Sequence, residues 1–393
     1  MERVRTTWRR KTVKPLSAFC LSRREFLGGA AAFAALPKFA ALAELTSKGR
    51  SYSVPVLGDI HFDSPDPKFY HAGYTHSTSA KRYKAHLAEH VRNSEMWKDR
   101  LPRLVGASGR CIRADTAFAL QMGDFVQGDC GNAATHRRML DDAFAFVKGA
   151  YGGNLPLVTV AGNHDIRGDM KGDGAKKTLE KWLPETMAKE LGVPVKDSTF
   201  SFRHGPDVFI VVDFNEPRPD IALVKRLLAE SEDARYTFLV SHGPAIPSGQ
   251  SRWFLLGKKK RDEERRELRS VLARRNAIEL AGHTHNLEFT DCAFPEGRIT
   301  QFVFNSVWAQ RAWATPQMLG DGAAAFGRHA FTTENALGTP ADRELVEEYR
   351  PFVKNYYFAK AAGHYNLEVS DDGVSVAFYG GDATTPSRTF RLR

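Results

Sequence analysis

Asn163, His164 and Asp165 stand side by side at the end of PLVTVAGNHD, residues 156–165. An amide oxygen, an imidazole and a carboxylate together suit a metal or acid–base cluster better than core packing. Four other places repeat the theme. Asp59 and His61 form a D-x-H pair after Gly58, Asp124 follows Gly123, His242 sits in SHGP, and His283 and His285 flank Thr284 after Gly282. Side chains at i and i+2 of an extended backbone point the same way, so Asp59 and His61 are expected to reach one ion, while His283 and His285 could serve one ion or two. None of these donors is a thiolate, and oxygen with imidazole nitrogen selects hard-to-borderline divalent cations. Each piece alone also fits a polar strand end with Asn and Asp capping backbone groups. The weight lies in the conjunction.

Each cluster follows a short apolar run: 52–57, 117–122, 157–160, 237–240 and 278–281. Such runs predict buried strands. Helical periodicity between them predicts helices at 80–104, 136–148, 178–191, 220–228 and 258–275. Strand–helix alternation gathers strand ends on one sheet edge, where open α/β sheets place their ligands. Further strands are expected at 208–212, 298–303, 356–359, 365–369 and 374–379, the last two joined by the turn Asp371-Asp372-Gly373. The aromatic, turn-rich stretch 63–79 reads as a binding loop or a surface excursion. Residues 311–355 read as an insertion or cap with Gly-rich loops and one helix at 341–352. Asp169, Asp173 and the basic run at 258–261 read as solvated.

The chain of 393 residues carries a formal net charge of +10. That excess sits mostly in residues 1–43, which hold nine Lys/Arg and two Glu; the remainder has 47 basic and 44 acidic residues. A near-balanced body argues against a specific nucleic-acid partner, for which only weak, salt-sensitive retention is expected. The N-terminus has the layout of a targeting segment: a basic region, then Ser22-Arg23-Arg24-Glu25-Phe26-Leu27, a small weakly apolar run, and the small residues Ala41-Leu42-Ala43. It resembles a twin-arginine export signal, which implies a periplasmic or secreted protein handled by the twin-arginine translocation machinery. The run is too short and polar for a stable membrane span. Cys111, Cys130 and Cys292 remain beyond the signal, without CxxC spacing, so one bridge at most is expected.

The order D-x-H, G-D, G-N-H-D, H, G-H-x-H resembles the calcineurin-like metallophosphoesterase family. The resemblance implies an α/β (α+β) sandwich, two mixed β-sheets packed together and flanked by helices. It divides the chain into a signal at 1–43, a linker at 44–51, the phosphoesterase domain at 52–310, the insertion at 311–355 and closing strands at 356–393. It further implies two divalent ions, for which manganese, iron or zinc all suit the donors. Asp59, His61 and His285 would hold one, Asn163, His242 and His283 the other, with Asp124 bridging. His164 would protonate the leaving oxygen with Asp165 orienting it, and a bridging hydroxide would attack a phosphate mono- or diester. Arg167 is the one candidate phosphate contact. Gln127 departs from the Asp, Asn or Arg common three residues after the bridging Asp, and also from the Tyr of the purple acid phosphatase branch. The competing expectation is a catalytically silent binding scaffold in the cell envelope.

Overall fold

The computed structural model describes residues 50–75, 79–168, 174–215, 219–247, 254–257, 261–308, 314–328 and 340–393. The export signal, most of the 44–51 linker, Asp169, Asp173 and the lysines at 258–260 lie outside the described residues.

Apolar runs alternate with amphipathic ones, and nearly every run becomes an element. The chain passes through β1 (Tyr52–Leu57), α1 (Ala80–Trp97), α2 (Arg100–Arg110), β2 (Ala119–Gln121), α3 (Ala133–Ala150), β3 (Leu157–Thr159) and α4 (Ala175–Leu191). Then come β4 (Phe200–His204), β5 (Asp207–Val212), α5 (Ile221–Ala229), β6 (Thr237–Ser241), α6 (Asp262–Arg274), β7 (Ile278–Ala281), β8 (Leu287–Phe294) and β9 (Gly297–Val303). β10 (Gln317–Asp321), α7 (Pro340–Tyr349), β11 (Val353–Lys360), β12 (Gly363–Ser370), β13 (Gly373–Gly380) and β14 (Arg388–Arg391) complete it.

Two mixed sheets result. One has the order β14-β13-β12-β1-β2-β3, the other β10-β11-β8-β9-β7-β6-β5-β4. Parallel pairing puts Val56 opposite Leu120 and Leu120 opposite Val158 in the first, and Val240 opposite Leu280 in the second. α2 packs on β1 and β12 and α4 on β3, while α5 covers β5 and α6 covers β9. The expected sandwich of two sheets flanked by helices is the one the chain forms.

Strand alternation explains why both faces of the second sheet are dry. In β5, Phe209 and Val211 join the core shared with the first sheet, whereas Val208, Ile210 and Val212 join the core under α5 and α6. Phe209 is fully buried and stacks on Phe238 at 4.5 Å and on Phe202 at 5.1 Å between ring centroids. Phe209→Ala is therefore expected to cost about 3–5 kcal/mol in a denaturant titration. A loss below about 1 kcal/mol would mean that the inter-sheet core collapses around the cavity.

Several elements differ from expectation. The single helix at 80–104 is two, α1 and α2, broken at Lys98–Asp99. Pro102 has no N–H to donate back to Lys98, and its ring would strike that carbonyl in a continuous helix. β4, β8, β10 and β14 escape the sequence pattern. β8 alternates over Leu287-Glu288-Phe289-Thr290, but Asp291 falls where an apolar residue should follow and cuts the pattern short. β10 lies within 311–355 and hydrogen-bonds to β11, so this stretch contributes the edge of the second sheet. Cys111, Cys130 and Cys292 are all free thiols, so no bridge forms among them.

Candidate metal centre

Strand ends from both sheets meet at one place. β1, β2 and β3 of the first sheet deliver Asp59 and His61, Asp124, and Asn163 to Asp165; β6 and β7 of the second deliver His242, His283 and His285. The sheets are tied across this edge. Asn215 Nδ2, just beyond β5, donates to the Gly162 carbonyl, just beyond β3, at 3.2 Å, and His242 Nδ1 lies 2.7 Å from the Met122 carbonyl.

Spaced pairs reach the site by a route other than strand alternation. Asp59-x-His61 and His283-x-His285 lie beyond the ends of their strands. His61, Asp124, His283 and His285 take φ values of 43°, 48°, 71° and 52°, the left-handed region that non-glycine residues rarely enter. Each chain turns sharply there and folds its ligand back over the strand end. The preceding glycines are steric necessities. A Cβ on Gly162 would collide with the Asp124 nitrogen and Oδ1, and one on Gly282 would meet Asp59 Oδ1.

Backbone amides aim the carboxylates. Asp59 accepts from the His283 N–H at 3.0 Å, and Asp124 Oδ1 accepts from the His164 N–H at 2.7 Å. Asp59 Oδ2 then lies 3.1 Å from His285 Nε2, while Asp124 Oδ2 lies 3.3 Å from His242 Nε2 and 3.8 Å from His61 Nε2. His61 Nε2 and His285 Nε2 are 3.0 Å apart. Asp59, His61, Asp124 and His285 form one group of donors mutually within 4.8 Å, and Asp124, His242 and His283 form another. Asp124 belongs to both. Asn163 Oδ1 is buried without a hydrogen-bond partner.

The donor set fits cations. His242 Nδ1 lies 2.7 Å from the Met122 carbonyl and donates to it, so a neutral His242 would present a lone pair to the Asp124 carboxylate. Two lone pairs at that distance require a positive charge, either a proton or a divalent ion. Without an ion the proton takes that place. Burial opposes it, but Asp124 and Asp59 raise the His242 pKa to about 9. Asp124 is held well below the ordinary carboxylate range: burial, the largest single influence, works against ionisation, and His242, His164 and His61 together outweigh it. Burial takes His61 down to about 4, and burial with the His242 cation takes His283 to about 3. Phe214 lies 5.1 Å from His242 and 5.2 Å from His283 between ring centroids, shielding this half of the site. The other half opens at His285, whose side chain is 40% exposed.

His164 sits at the rim, its ring edge-on to His61 at 4.4 Å. Its Nδ1 lies 3.1 Å from the Gln127 carbonyl, so that backbone oxygen orients the imidazole. Asp165 is not its partner. The Asp165 carboxylate accepts from the Val126 and Gly162 amides at 2.9 and 2.8 Å and fixes the loop instead. Burial, then Asp124, raises the Asp165 pKa to about 7. Arg167 Nη1 lies 3.2 Å from His164 Nε2, while Nη2 pairs with Asp129 at 2.8 Å and Glu89 at 2.9 Å. Burial first, then this cation, lowers the His164 pKa well below its usual value.

Sequence reading missed the polar layer behind this rim. Asp129 also pairs with His90 at 3.1 Å, and His90 stacks on His71 at 3.8 Å between centroids. His71 in turn bonds Asp63 at 3.0 Å, which ties the 63–75 stretch and α1 to the site. Gly128-Asp129 repeats the Gly-Asp signature of Gly123-Asp124 five residues on, a signal that was there to be used.

A sandwich with two oxygen–nitrogen donor clusters sharing one carboxylate at its strand ends is the arrangement of a metallophosphoesterase fold with a candidate metal centre. The sequence profile of the family described as calcineurin-like phosphoesterase matches residues 53–287, more than half of the chain, and the protein belongs to that family of phosphoric-ester hydrolases. No curated protein matches the chain. Among solved structures it is similar to purple acid phosphatase PPD1 from yellow lupin (Lupinus luteus) seeds, at 12% identity and a TM-score of 0.51 over 88% of this chain. This chain spans 54% of the length of that protein. PhoD is similar at 10% identity and a TM-score of 0.48, over 88% of this chain and 70% of PhoD. A dimetal phosphatase from Danio rerio is similar at 11% identity and a TM-score of 0.45, over 87% of this chain and 99% of that one. At 12% identity the likeness to the lupin protein is one of fold.

Proposed function

We propose that the protein is an exported phosphoesterase that hydrolyses phosphate mono- or diesters at a two-metal centre. The observation that carries this reading is Asp124, whose one carboxylate joins both donor groups and also accepts from the His164 backbone N–H. Asp59, His61 and His285 would hold one ion, Asn163, His242 and His283 the other. Divalent ions there supply Lewis acidity toward phosphoryl oxygens and lower the pKa of water. The chain's own residues do the rest. Asp59 and Asp124 bring the negative charge, fixed by backbone amides before any ion arrives. His164 is oriented through Nδ1; its Nε2, which Arg167 Nη1 meets at 3.2 Å, would pass a proton to the departing oxygen once Arg167 turns to the phosphate and the ring is protonated. Arg167 offers Nη1 to a phosphoryl oxygen beside it, with Asp129 and Glu89 holding the guanidinium in place. Two carboxylates on one arginine offset much of its charge, so its role is orientation more than attraction.

The test is hydrolysis of an aryl phosphate monoester and diester side by side by the mature chain supplied with manganese. Turnover of either supports the reading, and the preferred ester names the subclass. Silence on both, with no metal retained, overturns it. Export rests on the residues around Arg23 and Arg24. Replacing both with lysine is expected to leave the chain in the cytoplasm on cell fractionation, and unchanged periplasmic recovery would refute that route. Among the described residues no helix is long and apolar enough to cross a membrane.

A further inference from the structure

Glu89 stands beside the metal centre without belonging to either donor group. It comes from α1, and its Oε2 accepts from Arg167 Nη2 at 2.9 Å while its side chain stays 34% exposed. The other arm of the same guanidinium, Nη1, lies 3.2 Å from His164 Nε2. Arg167 therefore separates Glu89 from the proton donor by the width of one planar fork. A phosphoryl oxygen bonded to Nη1 would stand roughly 5–7 Å from the Glu89 carboxylate, inside the Debye length at physiological salt.

The charge of Arg167 is already matched. Asp129 is fully buried and accepts from Nη2 at 2.8 Å. Burial works against its ionisation, but His90 and Arg167 outweigh burial and hold its pKa below the usual value. His86 and His90 are kept neutral, chiefly by burial, and His71 is matched by Asp63 at 3.0 Å. Taking the cation away from a buried carboxylate is costly, so Arg167 stays committed to Asp129. Glu89 is then the negative charge left over at the rim. Among the described residues Arg167 is the only Lys or Arg bonded to His164. The next cation along α1, Arg82, is exposed and bears on His86 less than Arg167 does.

We infer that Glu89 is a specificity-determining residue that turns this centre toward phosphate diesters, which carry one negative charge, and against monoesters, which carry two. The inference rests on the phosphoesterase reading and names the ester class for it. A diester replaces one anionic oxygen with a neutral alkoxy group. A monoester keeps that oxygen charged and needs a donor whose own charge is uncommitted. On this rim it meets an arginine already matched by Asp129, with Glu89 behind it. One further unit of negative charge at this range from a partly exposed carboxylate weakens binding about three- to tenfold.

The substrates are methyl para-nitrophenyl phosphate and para-nitrophenyl phosphate, which share a leaving group and near pH 8 carry about one and about two negative charges. The mature chain supplied with manganese is expected to show the higher kcat/KM on the diester. Glu89→Gln keeps an oxygen for Arg167 and removes the charge. It is expected to move the ratio of the two kcat/KM values toward the monoester by about three- to tenfold. Glu89→Asp, which keeps the charge, is expected to keep the wild-type ratio. A role confined to holding the fold would lower both activities together and leave the ratio alone in every variant. Binding is read separately, by calorimetry, with phenylphosphonate and its monomethyl ester, in which a P–C bond replaces the leaving group. Glu89→Gln is expected to tighten the doubly charged probe more than the singly charged one, by the same factor. A wild-type preference for the monoester, a ratio that Glu89→Gln does not move, or equal effects on the two probes would overturn the inference. Silence on both esters counts against the phosphoesterase reading itself, and the change in the two affinities then decides the inference alone. Should Glu89→Gln fail to fold, the wild-type ester preference decides it.

Discussion

Replacing His164 with alanine is expected to lower turnover about 10²- to 10⁴-fold, the range supplied by a positioned proton donor, while the metal content stays unchanged. The geometry separates the two effects. His164 touches the Asp124 carboxylate only through its backbone N–H, which alanine retains, and its ring belongs to neither donor group. The ring's partners are the Gln127 carbonyl and Arg167, both at the rim. A general acid also leaves a chemical signature. Leaving groups that depart readily without a proton should lose far less than alkyl leaving groups when His164 is removed. A loss equal across leaving groups would exclude proton donation, and a simultaneous loss of metal would make His164 a structural element of the centre. A scaffold without catalysis would show no turnover to lose.

Asp124→Asn is expected to act on metal binding itself. The amide keeps the shape and can still accept the His164 N–H, but it removes the one negative charge that belongs to both donor groups. Elemental analysis should show metal falling from two ions per chain to one or fewer. The loss of activity should exceed the roughly 10- to 100-fold cost of disturbing an outer-shell partner. Two ions retained at normal affinity would remove Asp124 from its bridging place and, with it, the argument for a dinuclear centre.

Much of the site was legible in the sequence because its ligands are short motifs at the ends of recognisable apolar strands. Asp59, His61, Asp124, Asn163, His242, His283 and His285 converge on one edge, as strand–helix alternation predicts. The backbone geometry was not legible. An i, i+2 pair invites a strand reading, and nothing in D-x-H or H-x-H announces a positive φ. Adjacency in the chain proved a poor guide to hydrogen-bond partners. Asp165 follows His164 directly yet bonds Val126 and Gly162, while the group that orients His164 is a backbone carbonyl at Gln127, which no side-chain motif records. The same holds for Asp129 and Glu89: Arg167 stands out in sequence, but the carboxylates that hold it lie 38 and 78 residues upstream. In the fold, β8 and β10 were missed because polar or exposed residues cut short or mute the period-two signal. The Pro102 break in the first long helix was written in the sequence and passed over.

The left-handed ligands carry an implication for durability. A non-glycine residue in that region costs on the order of 1–2 kcal/mol relative to its relaxed backbone, and His61, Asp124, His283 and His285 all reside there. Glycine at any of the four would relieve the turn and yield a sturdier, inert protein. Function and robustness therefore pull in opposite directions at these positions, and a screen for heat resistance alone would drift toward dead variants. Ions that bind the folded chain and not the unfolded one restore the balance by mass action. Metal supply would then govern not only whether the protein works but how long it survives.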